Sequence, residues 1–172
     1  QTFYNCRNLI TLDISNWNVS KVTSLLYTFY NCQNLTTLDI SNWNVNNVTD
    51  LVGTFEGCRN LTTLNISNWN TSKITSLYST YSDCFNLNGS PVCEDNVTDM
   101  TLAYFNCTNL TGSPVCGNNV TNMGYTYSYC RNLTGNPVCG SNVTNMQGTY
   151  QRCTNLTGSP VCGPNVTDMS SA

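Results

Sequence analysis

Cysteine and asparagine are the residues here whose types and spacing could do chemistry. The 172-residue chain holds 11 Cys and no His. Four pairs are spaced by nine: Cys84 and Cys93, Cys107 and Cys116, Cys130 and Cys139, Cys153 and Cys162. A disulfide closing such a loop of about ten residues would add roughly 2.5–3 kcal/mol and would imply an oxidising compartment. The offset pairing, Cys93 with Cys107 and so on along the chain, is equally open to a sequence. A third reading is a ladder of buried thiols, since Cys packs as a small hydrophobe. Cys6, Cys32 and Cys58 favour that reading for their own column, because none has a partner nine residues on. The spacing of nine and the absence of His weigh against a zinc knuckle.

Asn-x-Ser/Thr occurs fifteen times. Two columns dominate: Asn34, Asn60, Asn109, Asn132 and Asn155 in "NLT", and Asn47, Asn96, Asn119, Asn142 and Asn165 in "NVT". In an extended chain with the central residue inward, Asn and Thr point outward, where a glycan could be attached. Stacked Asn and Thr can instead form hydrogen-bonded ladders between neighbouring turns of chain.

Nothing assembles a catalytic site. With no His, a nucleophilic Cys has no ordinary base. The only local acid cluster is Glu94, Asp95 and Asp99, a solvated edge on the simplest reading and a calcium site on the alternative. No cofactor is implied. The six Lys and Arg are scattered, which argues against nucleic acid as a partner. The apolar runs are a few residues long, which argues against membrane insertion.

The elements that position these residues repeat. Cys6, Cys32, Cys58 and Cys84 are 26 apart, and Cys84, Cys107, Cys130 and Cys153 are 23 apart. Three long rungs (residues 1–83) therefore precede the short rungs (84–172), and the chain opens and closes in mid-repeat, as a segment of a longer array would. In a long rung, Leu38 and Ile40 flank Asp39 with the period of a half-buried strand. Val48, Leu51 and Phe55 follow at i, i+3, i+7, the spacing of one helical face, with Thr49 and Asp50 suited to its first turn. The pattern predicts a leucine-rich-repeat-like solenoid, one short parallel strand plus a short helix or turn per rung, stable only by stacking. Phe3, Phe29, Phe55, Tyr81, Tyr104, Tyr127 and Tyr150 form an aromatic column, read as core, and Trp17, Trp43 and Trp69 form another confined to the long rungs. In the short rungs Pro91, Pro114, Pro137 and Pro160 take the outward strand position of Asp13, Asp39 and Asn65. Ser90, Ser113, Asn136 and Ser159 take the inward one. Pro has no N–H for a ladder, so a lost bond or a polyproline-like path is expected there.

"NLTTLDISNWNVNNVTDLVGTFEGC" resembles the bacterial surface-protein 26-residue repeat. The short form, "NLTG.PVC..NVTNM...Y..C", is similar to the 23-residue repeats of BspA-like leucine-rich-repeat surface proteins. The resemblance implies an extracellular or cell-surface location and a role in adhesion or interaction, and it brings no catalytic residues. The outward strand positions barely vary between rungs. Such uniformity predicts a structural protein that self-associates into a surface fibre, stalk or layer. The alternative is an adhesin ectodomain that binds a host protein or glycan.

Overall fold

The computed structural model describes residues 1–159 and 161–172. Residues one repeat apart lie side by side and are hydrogen-bonded in register. β1 (Thr37–Asp39) pairs in parallel with β2 (Thr63–Asn65), matching Thr37 with Thr63, Leu38 with Leu64 and Asp39 with Asn65. Leu38 is buried between exposed Thr37 and Asp39, as the strand period predicts. Elsewhere the pairing is reduced to single parallel bridges: Ser24 with Asp50, Ser76 with Asp99, Asp99 with Asn122, Asn122 with Asn145, and Asn145 with Asp168. Their spacing drops from 26 to 23 where the sequence period does.

The stretch read as a helical face contains no helix among the described residues. It is a run of turns. Leu25, Tyr27, Phe29 and Asn31 donate their N–H groups to the carbonyls of Asp50, Val52, Thr54 and Glu56 in the next rung (2.6–3.0 Å). Between them Thr28, Tyr30 and Cys32 donate to the carbonyls three residues back, those of Leu25, Tyr27 and Phe29. A helix would point every N–H along its own axis and leave the neighbouring rung unbonded. A left-handed residue at every fourth position, Tyr27 (φ 51°) and then Asn31 (φ 58°), makes the alternation. Gly53 and Gly57 hold those places one rung on (φ 56° and 74°). A Cβ on Gly53 would also collide with the Tyr27 ring at 2.2 Å. Leu102 and Tyr125 adopt the same conformation (φ 57° and 55°) with side chains present, at a cost of about 1–2 kcal/mol each.

The short rungs correct a second expectation. Pro91, Pro114 and Pro137 are buried, whereas Ser90, Ser113 and Asn136 are exposed. Pro160 lies outside the described residues. The positive φ of Gly89, Gly112 and Gly135 (105°, 81° and 82°) shifts the in–out alternation by one residue, so the proline ring takes the core place that the strand period assigns to Ser90. Pro has no N–H for the neighbouring rung whichever way its ring faces, and the burial of the ring replaces part of what a Leu would supply.

The core is continuous through both regions. Rings of Phe3, Phe29, Phe55, Tyr81, Tyr104, Tyr127 and Tyr150 stack nearly parallel with centroids 5.1–5.8 Å apart. Leu35, Leu61, Leu110 and Leu133, with Val48, Ile74, Val97, Val120 and Val143, complete it.

Candidate functional site

The cysteines form two separate columns. In the first, each buried thiol donates to the carbonyl of an aromatic residue one rung earlier: Cys58 to Phe29 (3.1 Å), Cys84 to Phe55 (3.1 Å), Cys107 to Tyr81 (3.0 Å) and Cys130 to Tyr104 (2.9 Å). Burial pushes these thiols up, Cys32 to about 11 and Cys58, Cys84 and Cys107 well above the ordinary thiol value. In the second column the half-buried sulfurs lie against the backbone of the next rung. Gly140 N–H donates to Cys116 Sγ (3.3 Å) and Gly163 N–H to Cys139 Sγ (3.4 Å). Burial raises Cys93 to about 11. Each sulfur neighbours the next thiol of its own column, Cys84 with Cys107 and Cys93 with Cys116. All eleven thiols are free, and the nine-residue pairs point to different partners.

The sequon asparagines are part of the stack. In the "NVT" column the Nδ2 groups of Asn47, Asn96, Asn119, Asn142 and Asn165 donate to the carbonyls of Ser20, Ser72, Asp95, Asn118 and Ser141 (2.6–2.9 Å). In the "NLT" column Asn60 donates to Asn34, Asn86 to Asn60 and Asn109 to Asn86 (3.2–3.4 Å). Their threonines do the same. Thr98, Thr121, Thr144 and Thr167 each use both N–H and Oγ to reach the carbonyl of the preceding Thr of the column (2.8–3.1 Å). Asn132 and Asn155 are exposed. An Asn amide held this way is both surface-accessible and structurally engaged, so a glycan on it would compete with a bond between rungs.

The three clustered acids go to different tasks. Asp99 Oδ1 accepts from Thr101 N–H (2.9 Å), an Asx turn that recurs at Asp50, Asn122, Asn145 and Asp168. Asp95 Oδ1 accepts from Asn118 Nδ2 (3.0 Å). No group of three metal-ligating side chains forms among the described residues.

The polar ends of the core aromatics escaped the sequence reading. In the long rungs Trp43 and Trp69 donate Nε1–H to the carbonyls of Ile14 and Ile40 (3.0 and 2.9 Å). In the short rungs the column residue is Tyr, and its hydroxyl spans the interior. Tyr104 donates to Val92 O (2.8 Å) and accepts from Val92 N–H (3.0 Å). Tyr127 does the same with Val115 and Tyr150 with Val138. The available signal was the change from Phe to Tyr in the rungs that lack Trp.

On the outside, Tyr4 and Tyr30 stack at 4.8 Å, with Tyr27 edge-on to both. With Gln1 and Glu56 they border a shallow depression.

These features define a chain held by rung-to-rung ladders, with aromatic residues clustered on part of its surface. The chain belongs to the family described as Mycoplasma protein of unknown function, DUF285, whose model matches residues 1–117. That match spans the long rungs and crosses into the short ones. No curated protein and no solved structure gives a match.

Proposed function

We propose that the chain is a leucine-rich-repeat-like solenoid that spaces or stiffens an extracellular fibre, stalk or surface layer. The observation that supports this most directly is the threonine ladder, which joins Thr23 to Thr49 in the long rungs and repeats the same bonding pattern in every step from Thr75 to Thr167. A surface made of identical repeats suits spacing and self-association. The resemblance to BspA-like and 26-residue surface repeats supplies the location. Negative-stain imaging of the native protein tests the role: regular end-to-end filaments are expected, and dispersed particles that bind cells would overturn it. The cluster of exposed Tyr4 with half-buried Tyr27 and Tyr30 favours one second reading, an adhesin that stacks sugar rings or host side chains on surface aromatics. Loss of cell or glycan binding in Tyr4→Ser with Tyr30→Ser would support that reading over the first.

A further inference from the structure

The two kinds of rung meet at one place, and the join is imperfect. Trp69 is the last Trp of its ladder. Trp43 covers one face of it (6.5 Å, 8° between planes). The next rung has Asp95 in the Cys-to-Trp register and offers no ring. Leu64, Ile66 and Trp69 are accordingly only partly buried, although Leu38, Ile40 and Trp43 one rung earlier are buried. A half-open, mainly apolar cavity of about 220 Å³ results, bordered by Ile66, Trp69, Ile74, Tyr81, Val92 and Glu94.

Tyr81 is the second observation. It is a tyrosine of the short-rung type placed at the end of a long rung. The backbone that its successors bond, twelve residues back, is here occupied by Trp69. Tyr81 is 4% exposed, and its hydroxyl makes no hydrogen bond among the described residues, whereas Tyr104, Tyr127 and Tyr150 each make two. Among the described residues no fully enclosed side-chain polar atom lacks a partner. The Tyr81 hydroxyl is therefore not fully enclosed, and Tyr81 lines this cavity. An unpaired polar group on an apolar wall favours a molecule that supplies both a hydrogen-bonding atom and an apolar surface.

We propose that this junction cavity is a binding site for a small planar aromatic molecule of one or two rings. The ring continues the tryptophan ladder on the free side of Trp69, and an oxygen or nitrogen of the ligand bonds the Tyr81 hydroxyl. The size suits it, since a cavity of about 150 Å³ already accepts benzene. Neither rung type alone makes the site, because Trp69 and Tyr81 belong to the last long rung, and Val92 and Glu94 on the facing wall to the first short one. The inference is independent of the fibre reading.

The test is ligand-observed fluorine NMR on the full 172-residue chain, with 4-fluorophenol as probe and fluorobenzene as its counterpart without a hydroxyl. Wild-type protein is expected to broaden both signals and to bind the phenol about tenfold more tightly. Tyr81→Phe, which restores the residue type of Phe55 in the same column, is expected to abolish that preference and keep fluorobenzene binding. Val92→Trp, which fills the cavity from its exposed side, is expected to abolish both. Circular dichroism checks that each variant is folded. Absence of broadening at millimolar probe with folded wild type overturns the proposal. So does an unchanged phenol preference in folded Tyr81→Phe. A cavity that holds only water gives the first of these results.

Discussion

The long and short rungs solve one problem in two ways. Each must fill the interior of its coil and satisfy the backbone on the face opposite the turns. A long rung does both with separate residues. Phe and Leu fill the space, a Trp adds bulk and bonds one carbonyl, and a three-residue strand such as β1 pairs with the next rung. A short rung has three fewer residues and, among the described residues, no strand. Its Tyr fills the interior and bonds both the N–H and the C=O of one valine, and an inward proline closes the wall. Stacking bonds are thus exchanged for a strut across the coil. The first cysteine column runs through both regions unchanged, and the threonine bonds recur in both, whereas Lys21 and Lys73 take the place of the "NVT" asparagine in two long rungs. What varies is how the interior is spanned.

The largest expected contrast is kinetic and separates the two cysteine columns. Alkylation under native conditions at pH 8 should modify Cys6 first. Cys93, Cys116, Cys139 and Cys162 should follow more slowly, and Cys58, Cys84, Cys107 and Cys130 only on unfolding. Burial and the raised pKa keep the last group protonated and shielded. Peptide mapping without reduction reads this directly, and linked Cys84–Cys93 peptides would show instead that the columns pair.

Next in size is Trp43→Ala, expected to destabilise the long rungs by about 3–5 kcal/mol. Hydrogen exchange should then speed in residues 14–69 and change little beyond Val120. Tyr127→Phe is the short-rung counterpart. It removes one oxygen and leaves Val115 N–H and C=O unpaired, at a cost of about 1–3 kcal/mol. Its faster exchange should centre on the short rungs. Equal loosening of both regions by either variant would erase the distinction drawn here.

The smallest effect lies in the Asx turns. Hydrogen bonds from Ser41 N–H and Oγ hold the Asp39 carboxyl below its ordinary value, and Ser15 and Ser170 do the same for Asp13 and Asp168. A depressed folded-state pKa stabilises above the unfolded value and is lost as pH falls through the folded one. Asp39→Asn should therefore shift the midpoint of a denaturant melt slightly at pH 7 and flatten the loss of stability below about pH 4. All three groups are exposed, so the shift should be small and salt-sensitive.

Much of this was legible before any coordinates. The rung lengths, the apolar and aromatic columns and the place where the period changes all follow from the spacing of Cys, Leu and Phe. A repeat that cannot bury its own apolar set must place equivalent residues side by side. The stack that results is visible as exact register in the Thr98, Thr121, Thr144 and Thr167 bonds.

Other features depended on three dimensions. The i, i+3, i+7 pattern of Val48, Leu51 and Phe55 fits a helix and a run of turns equally. The choice fell to hydrogen bonding, because only the turns send alternate N–H groups to the neighbouring rung. The direction of Pro91 depended on the φ of Gly89, which no side-chain pattern encodes. The tyrosine hydroxyls show the same limit. Sequence marks Tyr104, Tyr127 and Tyr150 as core, but their partners lie twelve residues away across the interior. Sequence thus determined which residues recur. Tertiary structure decided which way each one faces and what it bonds, because direction is a property of backbone torsions and of the neighbouring rung, and neither is written in the spacing of residue types.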